Sequence, residues 1–305
     1  MNLISLVGEQ PIPNLLPLWQ DDHFSQVIFC ASETTYPVAQ VMEQVIAQDP
    51  GLQHIQLLAP FEVPAYDLPQ AVSRITYQAE QIKQRSDGLM INLTGGTKLM
   101  SMAAMLAARQ VNVPFIYVST EEGVIITFDK DGIPIQRQPI SVTISAAQYL
   151  RAHGLEVSDN QAFNPDGPYS NIAPPKEGDW LEETLRKQLA VSGLFDDVQR
   201  GMFIRREEKG GWVNNELDVV ATRNGRLAVC SCKSGENITN DHLYELSSLS
   251  RRESAGIYCV KVLVLARETV TTAFQQRAKA SGILLITGRM LPNAAEHIGL
   301  ALSWT

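Results

Sequence analysis

The stretch Leu89-Met90-Ile91-Asn92-Leu93-Thr94-Gly95-Gly96-Thr97-Lys98 runs straight into Leu99-Met100-Ser101-Met102-Ala103-Ala104-Met105-Leu106-Ala107-Ala108. An apolar run short enough for a buried strand breaks at two glycines, and an Ala- and Met-rich run of good helix formers follows at once. The order is strand, tight turn, helix N-terminus. Glycines let main chain approach a ligand closely, and the unpaired N–H groups of a first helical turn, with the helix dipole, favour an anion. Thr97 and Lys98 add a hydroxyl and a positive charge at the same spot. The spacing is neither Gly-x-x-x-x-Gly-Lys-Ser/Thr nor Gly-x-Gly-x-x-Gly. Phosphate binding is the functional reading; a βα turn whose glycines serve geometry alone is the plain one.

Outward from this stretch, the first half alternates strand and helix. Leu3 to Val7 and Gln26 to Ala31 read as strands, ending in Gly8-Glu9-Gln10-Pro11 and Ser32-Glu33-Thr34-Thr35. Thr35 and Pro37 open a helix with Val38, Val41, Met42, Val45 and Ile46 on one face. Ile55 to Leu58 is a strand, Asp67 caps a helix to about Arg85, Phe115 to Val118 is a strand, and Val124 to Phe128 and Ile133 to Ile144 form antiparallel pieces about Asp129-Lys130-Asp131-Gly132. This order implies a parallel, Rossmann-like sheet with its ligand beyond the carboxyl ends of the strands. Those ends carry Gly8-Glu9-Gln10, Ser32-Glu33-Thr34, Thr94 to Lys98 and Ser119-Thr120, together a polar crevice.

With 305 residues the chain has room for two domains. Hydrophobic content of 45% and charged content of 19% fit a soluble globular protein, and no apolar run reaches the roughly 20 residues of a membrane span. Met1 to Val7 lacks a basic region and cleavage site, so the expected compartment is the cytoplasm, with no membrane partner. Cys30, Cys230, Cys232 and Cys259 lie in apolar strand-like runs as small buried hydrophobes, and the histidines are scattered singly without metal-ligand spacing. Net charge of −8 argues against non-specific coating of nucleic acid, although the acidic excess lies in the first half while the second is nearly balanced. Polynucleotide chemistry therefore belongs to the second half.

Residues 153–176, rich in Pro, Gly and Asn and without periodicity, read as a linker between domains 1–152 and 177–305. Beyond it, Asp179 caps a helix carrying Trp180, Leu181, Leu185 and Leu189, and strands follow at Val198 to Arg205, Glu216 to Thr222 and Leu227 to Cys232. Asn224-Gly225 makes the last two strands a hairpin. A helix from Asp241 to about Arg252, a strand Val260 to Leu265, a helix Thr271 to Ala280 and a strand Ile283 to Ile286 complete a second α/β unit. On the hairpin Glu216 and Asp218 share one face, and Ser231 and Lys233 share another, so that their polar faces can meet across the ladder. Paired carboxylates offer hard oxygen ligands to Mg²⁺ or Mn²⁺, and a lysine orients water or stabilises developing negative charge. Glu182, on the preceding helix, adds a third candidate ligand.

This helix-strand-hairpin plan resembles the PD-(D/E)xK nucleases, whose second strand ends in Glu-x-Lys; here the triplet is Ser231-Cys232-Lys233, and Glu216 is the candidate for the missing carboxylate. Taken whole, the chain resembles the CRISPR-associated ancillary nucleases that join a CARF (CRISPR-associated Rossmann fold) sensor to a restriction-endonuclease-like domain. The resemblance rests on Leu6 to Asn14, Thr94 to Lys98, Gly178-Asp179-Trp180-Leu181-Glu182-Glu183, Glu216-Leu217-Asp218 and Ser231-Cys232-Lys233, and covers nearly the full length. It implies a homodimer whose paired sensors bind a cyclic oligoadenylate, cyclic tetra-adenylate foremost, and so switch on metal-dependent cleavage of DNA, RNA or both. Gln10, Ser32, Thr34, Thr94, Gly95, Gly96, Thr97 and Lys98 would then line the messenger site. Glu216, Asp218 and Lys233 would be catalytic, with Glu182, Glu216 and Asp218 holding Mn²⁺ or Mg²⁺. Because a neutral hydroxyl at 231 is a weaker ligand than glutamate, a catalytically impaired messenger-binding sensor is the alternative. A transcription regulator is disfavoured by the lack of a helix-turn-helix pattern and of a basic stripe.

Overall fold

The computed structural model describes residues 1–85, 88–159, 179–208, 211–249 and 255–304. Two compact units emerge, Met1–Val142 with Trp304, and Thr143–Ser303.

The first unit is a sheet of order β3-β2-β1-β4-β5-β6-β7. Strands β1 (Asn2–Leu6), β2 (Gln26–Ala31), β3 (Gln56–Glu62), β4 (Leu89–Asn92) and β5 (Phe115–Ser119) run parallel, and β6 (Val124–Phe128) and β7 (Pro134–Pro139) add antiparallel strands. β1 is buried along its whole length, as a central parallel strand covered on both faces must be. Between the strands come α1 (Ile12–Gln20), α2 (Tyr36–Gln48), α3 (Leu68–Lys83) and α4 (Lys98–Val111). Ala103, Ala104, Ala107 and Ala108 of α4 join Ile4, Leu6, Ile28 and Ile91 in one core, their small side chains bringing the helix close to the sheet. From β1 the chain steps outward to β2 and β3, then returns to β4 on β1's other side. The β1–β4 pair, in register from Asn2↔Leu89 to Ser5↔Asn92, is therefore the topological switch point.

Three features of this unit differ from the sequence reading. α1 is hidden there because Pro11, Pro13 and Pro17 punctuate a run of only nine residues. Thr35 precedes α2 without capping it; its hydroxyl instead accepts from the Ser32 N–H at 3.0 Å. The last antiparallel strand stops at Pro139 rather than Ile144.

The second unit has sheet order β13-β12-β11-β10-β9-β8. β8 (Glu156–Asp159), β9 (Asp197–Glu208), β10 (Gly211–Arg223) and β11 (Arg226–Lys233) pair antiparallel in succession, and β12 (Cys259–Leu265) and β13 (Ile283–Ile286) extend the sheet in parallel from β11. Leu181, Leu185 and Leu189 of α6 (Asp179–Ser192) pack with Ile298 of α9 (Ala294–Ala301) over Val219, Ala221, Cys230, Val262 and Val264. α5 (Ala146–Ala152), α7 (Asp241–Leu249) and α8 (Thr272–Ala280) complete the unit. α5 clusters with this unit, Glu156–Asp159 within the expected linker pairs with β9, and 160–178, Gly178 included, lie outside the described residues. Arg251-Arg252 also lie outside them. Among the described residues no helix is long and apolar enough to cross a membrane.

Candidate functional site

Each unit carries its own constellation. In the first, the carboxyl ends of β1 and β4 are fused at their glycines. A Cβ on Gly95 would lie 1.9 Å from the Leu6 carbonyl oxygen and 2.7 Å from the Gly8 nitrogen, and Gly96 adopts a φ of +76°. No other residue fits at 95, and a side chain at 96 would be strained. The turn delivers Thr97 as N-cap of α4: its hydroxyl accepts from the Met100 N–H at 3.2 Å and donates to the Ala65 carbonyl at 2.7 Å. Lys98 follows as the first helical residue, with its side chain exposed. Backbone N–H groups, a helix start and an ammonium thus converge above the switch point, an arrangement suited to a phosphate.

Beneath this surface lies a buried polar network that the sequence reading does not assign. The Asn14 amide donates to Ser5 Oγ at 2.8 Å and to the Leu6 carbonyl at 2.6 Å, and Asn92 Nδ2 donates to Ser5 Oγ at 3.2 Å and to the Pro13 carbonyl at 3.3 Å. Pro17 has no N–H, so the Pro13 carbonyl lacks its helical donor, and Asn92 takes that place. Asn92 Oδ1 in turn accepts from the Thr94 hydroxyl at 2.6 Å, and Thr94 Oγ1 accepts from the Val118 N–H at 2.8 Å. The signal in the sequence is an asparagine closing an otherwise apolar strand. Thr94 and Thr97 are therefore occupied in holding the turn. Ser32 is buried, its hydroxyl 3.0 Å from Thr34 Oγ1 and 3.1 Å from Thr35 Oγ1, next to β1 through the Val7 N–H to Cys30 carbonyl bond of 2.8 Å. Thr34 is exposed and Gln10 half-buried, both on loops at this end of the sheet.

In the second unit the decisive feature is where the β10–β11 ladder stops. Pairing runs from Arg223↔Arg226 to Val219↔Cys230. At the next rung Asp218 Oδ2 accepts from the Cys232 backbone N–H at 2.7 Å and from Ser231 Oγ at 3.4 Å. A side-chain carboxylate thus replaces a main-chain acceptor, while β11 continues beside β12 as far as Lys233↔Leu265. Burial pushes the Asp218 carboxyl up, opposed by the Cys232 N–H, Lys233 and Ser231, with Glu245 reinforcing the rise. Lys233 Nζ lies 3.6 Å from Glu245 Oε2 on α7, a residue absent from the sequence-derived set because it sits on a separate helix.

The other expected ligands are more dispersed. Glu216 is exposed on the same face of β10 as Asp218. Glu182, on α6, pairs with Arg200 at 3.6 Å, and the neighbouring Glu183 reaches Arg200 at 3.7 Å. Arg186, donating to both Glu183 oxygens, and Lys187 hold the Glu183 carboxyl down to about 2. Among the described residues no three His, Cys, Asp or Glu side chains are gathered closely enough to cage a metal. The donor set at the hairpin is nonetheless all hard oxygen, and Mg²⁺-type cations bind through one or two carboxylates with several waters retained, so Asp218 and Glu216 fit such an ion. The thiols do not compete for it, since burial pushes Cys30, Cys230, Cys232 and Cys259 up.

Comparison with known proteins agrees with this division. The family model described as the Card1 CARF domain matches residues 2–149, and that described as the Card1-like endonuclease domain matches residues 175–302. Protein VC1899 from Vibrio cholerae has a similar structure at 19% identity and a TM-score of 0.82, covering 100% of this chain and 99% of that one. Can2 from Sulfobacillus thermosulfidooxidans, solved in complex with cyclic tetra-adenylate, is similar at 18% identity and a TM-score of 0.75, covering 99% of each chain. A type III CRISPR defence DNA nuclease activated by cyclic oligoadenylate matches at 16% identity and a TM-score of 0.60, over 88% of this chain and 45% of that one. At these identities the likeness is one of fold. No curated protein matches the sequence.

Proposed function

The chain belongs to the CRISPR-associated nucleases that join a Card1-type CARF domain to a Card1-like endonuclease domain, and on that premise we propose that cyclic tetra-adenylate bound by the first unit switches on metal-dependent nucleic-acid cleavage by the second. The observation that carries the chemistry is the Asp218 carboxylate taking the Cys232 N–H where the β10–β11 ladder ends. That bond ties the acid to the strand that bears Lys233. Glu216 and Asp218 would hold Mn²⁺ or Mg²⁺, and Glu182 would join them on release from Arg200. The ion supplies Lewis-acid stabilisation of the phosphodiester's developing charge and a more acidic water. Lys233 orients the attacking water or the scissile phosphate, and Asp218 is fixed by its two hydrogen bonds before substrate arrives.

The sensor reading is supported by the glycine-sealed turn at the switch point. Gly95, Gly96, Lys98 and the N-terminus of α4 would meet the messenger phosphates, Gln10, Ser32 and Thr34 would line the adjoining strand ends, and Thr94 and Thr97 would hold the turn in shape. A two-fold ring ligand suits a two-fold dimer, each protomer offering the same helix start to equivalent phosphates. The exposed Met102, Met105 and Leu106 on α4, continuous with that helix start, supply an apolar surface for the second copy.

The test is cleavage of single-stranded and supercoiled DNA and of RNA by purified protein in Mn²⁺ or Mg²⁺, with and without cyclic tetra-adenylate. Messenger-stimulated cleavage is expected; its absence with every metal and substrate rejects the reading. Ser231 favours a second reading, a messenger-binding protein with a silent nuclease half. It predicts tight messenger binding without cleavage, and activity created by Ser231→Glu.

A further inference from the structure

Lys233 is the one member of the proposed catalytic set with a cationic side chain, and a strand neighbour two positions away shares its face. In the Glu-x-Lys pattern that neighbour is a carboxylate. Here it is Ser231, buried and neutral, whose hydroxyl is directed to Asp218 Oδ2 at 3.4 Å. The chain supplies an anion from elsewhere. α7 packs its apolar face inward through the buried Leu243 and Leu246, and Glu245 between them presents Oε2 3.6 Å from Lys233 Nζ. The same oxygen lies 4.0 Å from His242 Nδ1, one turn earlier.

From this geometry we propose that Glu245 is a positioning residue that gives Lys233 the anionic neighbour Ser231 does not supply: from α7, it holds the Lys233 ammonium in the nuclease site. The inference rests on the nuclease reading above. Glu245 acts through Lys233, so it governs turnover rather than metal or substrate affinity. The carboxylate has moved from strand to helix, and the two positions are interchangeable: a carboxylate introduced by Ser231→Glu serves Lys233 as well as Glu245 does.

Four proteins test this: wild type, Glu245→Gln, Ser231→Glu, and the double variant carrying both. With saturating cyclic tetra-adenylate and Mn²⁺, Glu245→Gln lowers kcat roughly tenfold or more while KM for nucleic acid stays within about twofold. Mn²⁺ affinity, read by electron paramagnetic resonance, is unchanged. The double variant recovers most of the lost kcat, which a helix that merely packs badly could not do. A second measurement needs no turnover: modification of Lys233 by an amine-reactive reagent, followed by mass spectrometry, proceeds several-fold faster in Glu245→Gln than in wild type and slows again in the double variant. If wild type does not cleave, the nuclease reading fails while the labelling comparison still decides the pairing. Equal labelling of Lys233 in wild type and Glu245→Gln, an unchanged kcat, or no recovery in the double variant overturns the proposal.

Discussion

Gly95 and Asp218 show how little of each site's geometry is negotiable. At Gly95 a methyl group would meet the Leu6 carbonyl oxygen at 1.9 Å, a backbone atom that cannot step aside without parting β1 from β4. Gly95→Ala therefore costs about 3 kcal/mol or more in a denaturant titration, and it removes messenger binding along with stability. Asp218 behaves in the opposite sense. An asparagine there keeps an oxygen to accept from Cys232 but loses the charge that burial disfavours. Asp218→Asn is thus expected to leave the unfolding midpoint unchanged or raised while cleavage falls by about a hundredfold or more, the mark of a residue kept for chemistry at some cost to the fold. Thr94 belongs with Gly95. Replacing its hydroxyl in Thr94→Val strands the Val118 N–H and leaves Asn92 Oδ1 only the Thr94 backbone N–H at 3.0 Å, a loss of about 1–3 kcal/mol readable in the same titration.

Elements are legible in the sequence to the extent that one physical signal governs them. β4 and α4 can be read because an apolar run, a glycine break and an alanine-rich run coincide there, and Asp67 is recognisable as the cap of α3, where it accepts from the Gln70 N–H at 3.0 Å. α1 escapes because Pro11, Pro13 and Pro17 break up its short run, and β8 escapes because Glu156–Asp159 is short and gains its meaning only from pairing with β9. Of the hairpin constellation, the shared faces of Glu216 with Asp218 and of Ser231 with Lys233 follow from strand alternation. The approach of α7 does not, since no sequence period reports the distance between Lys233 at a strand end and Glu245, 12 residues further on in a helix. α5 carries its own prediction. His153, at its C-terminal end, has Nδ1 3.0 Å from the Tyr149 carbonyl and Nε2 sealed from solvent, and burial holds its pKa down to about 4. The folded state therefore resists the proton that the unfolded chain accepts below its ordinary value of about 6.5. Stability is constant above that pH and falls as pH drops from about 6.5 towards 4, by at most about 3 kcal/mol, and a His153→Phe variant should lose this part of the pH dependence of the unfolding midpoint.

At the scale of the whole molecule the proposed function divides input from chemistry between the two constellations, and Lys98 tests that division. Its ammonium lies at the start of α4 in the first unit, whereas every carboxylate proposed to hold the metal belongs to the second. A ligand shifts a two-state equilibrium only by the difference in its affinity for the two states, so a contact to the messenger controls how much messenger is needed. A hydrogen bond from a charged donor to a phosphate contributes about 1.5–3 kcal/mol, and a dimer makes it twice. Lys98→Ala should therefore move the activation curve to at least about a hundredfold more cyclic tetra-adenylate, which at ordinary messenger concentrations amounts to a silent enzyme. Its Mn²⁺ affinity, measured by paramagnetic resonance without messenger, should equal that of wild type, because the second unit is unchanged in sequence. Asp218→Asn should give the converse, with the messenger bound at wild-type affinity and cleavage down by about a hundredfold or more at every messenger concentration. Loss of Mn²⁺ binding in Lys98→Ala, or of messenger binding in Asp218→Asn, would mean that one site depends on the other for its shape, and sensing and cutting would then be a single structure rather than two coupled ones.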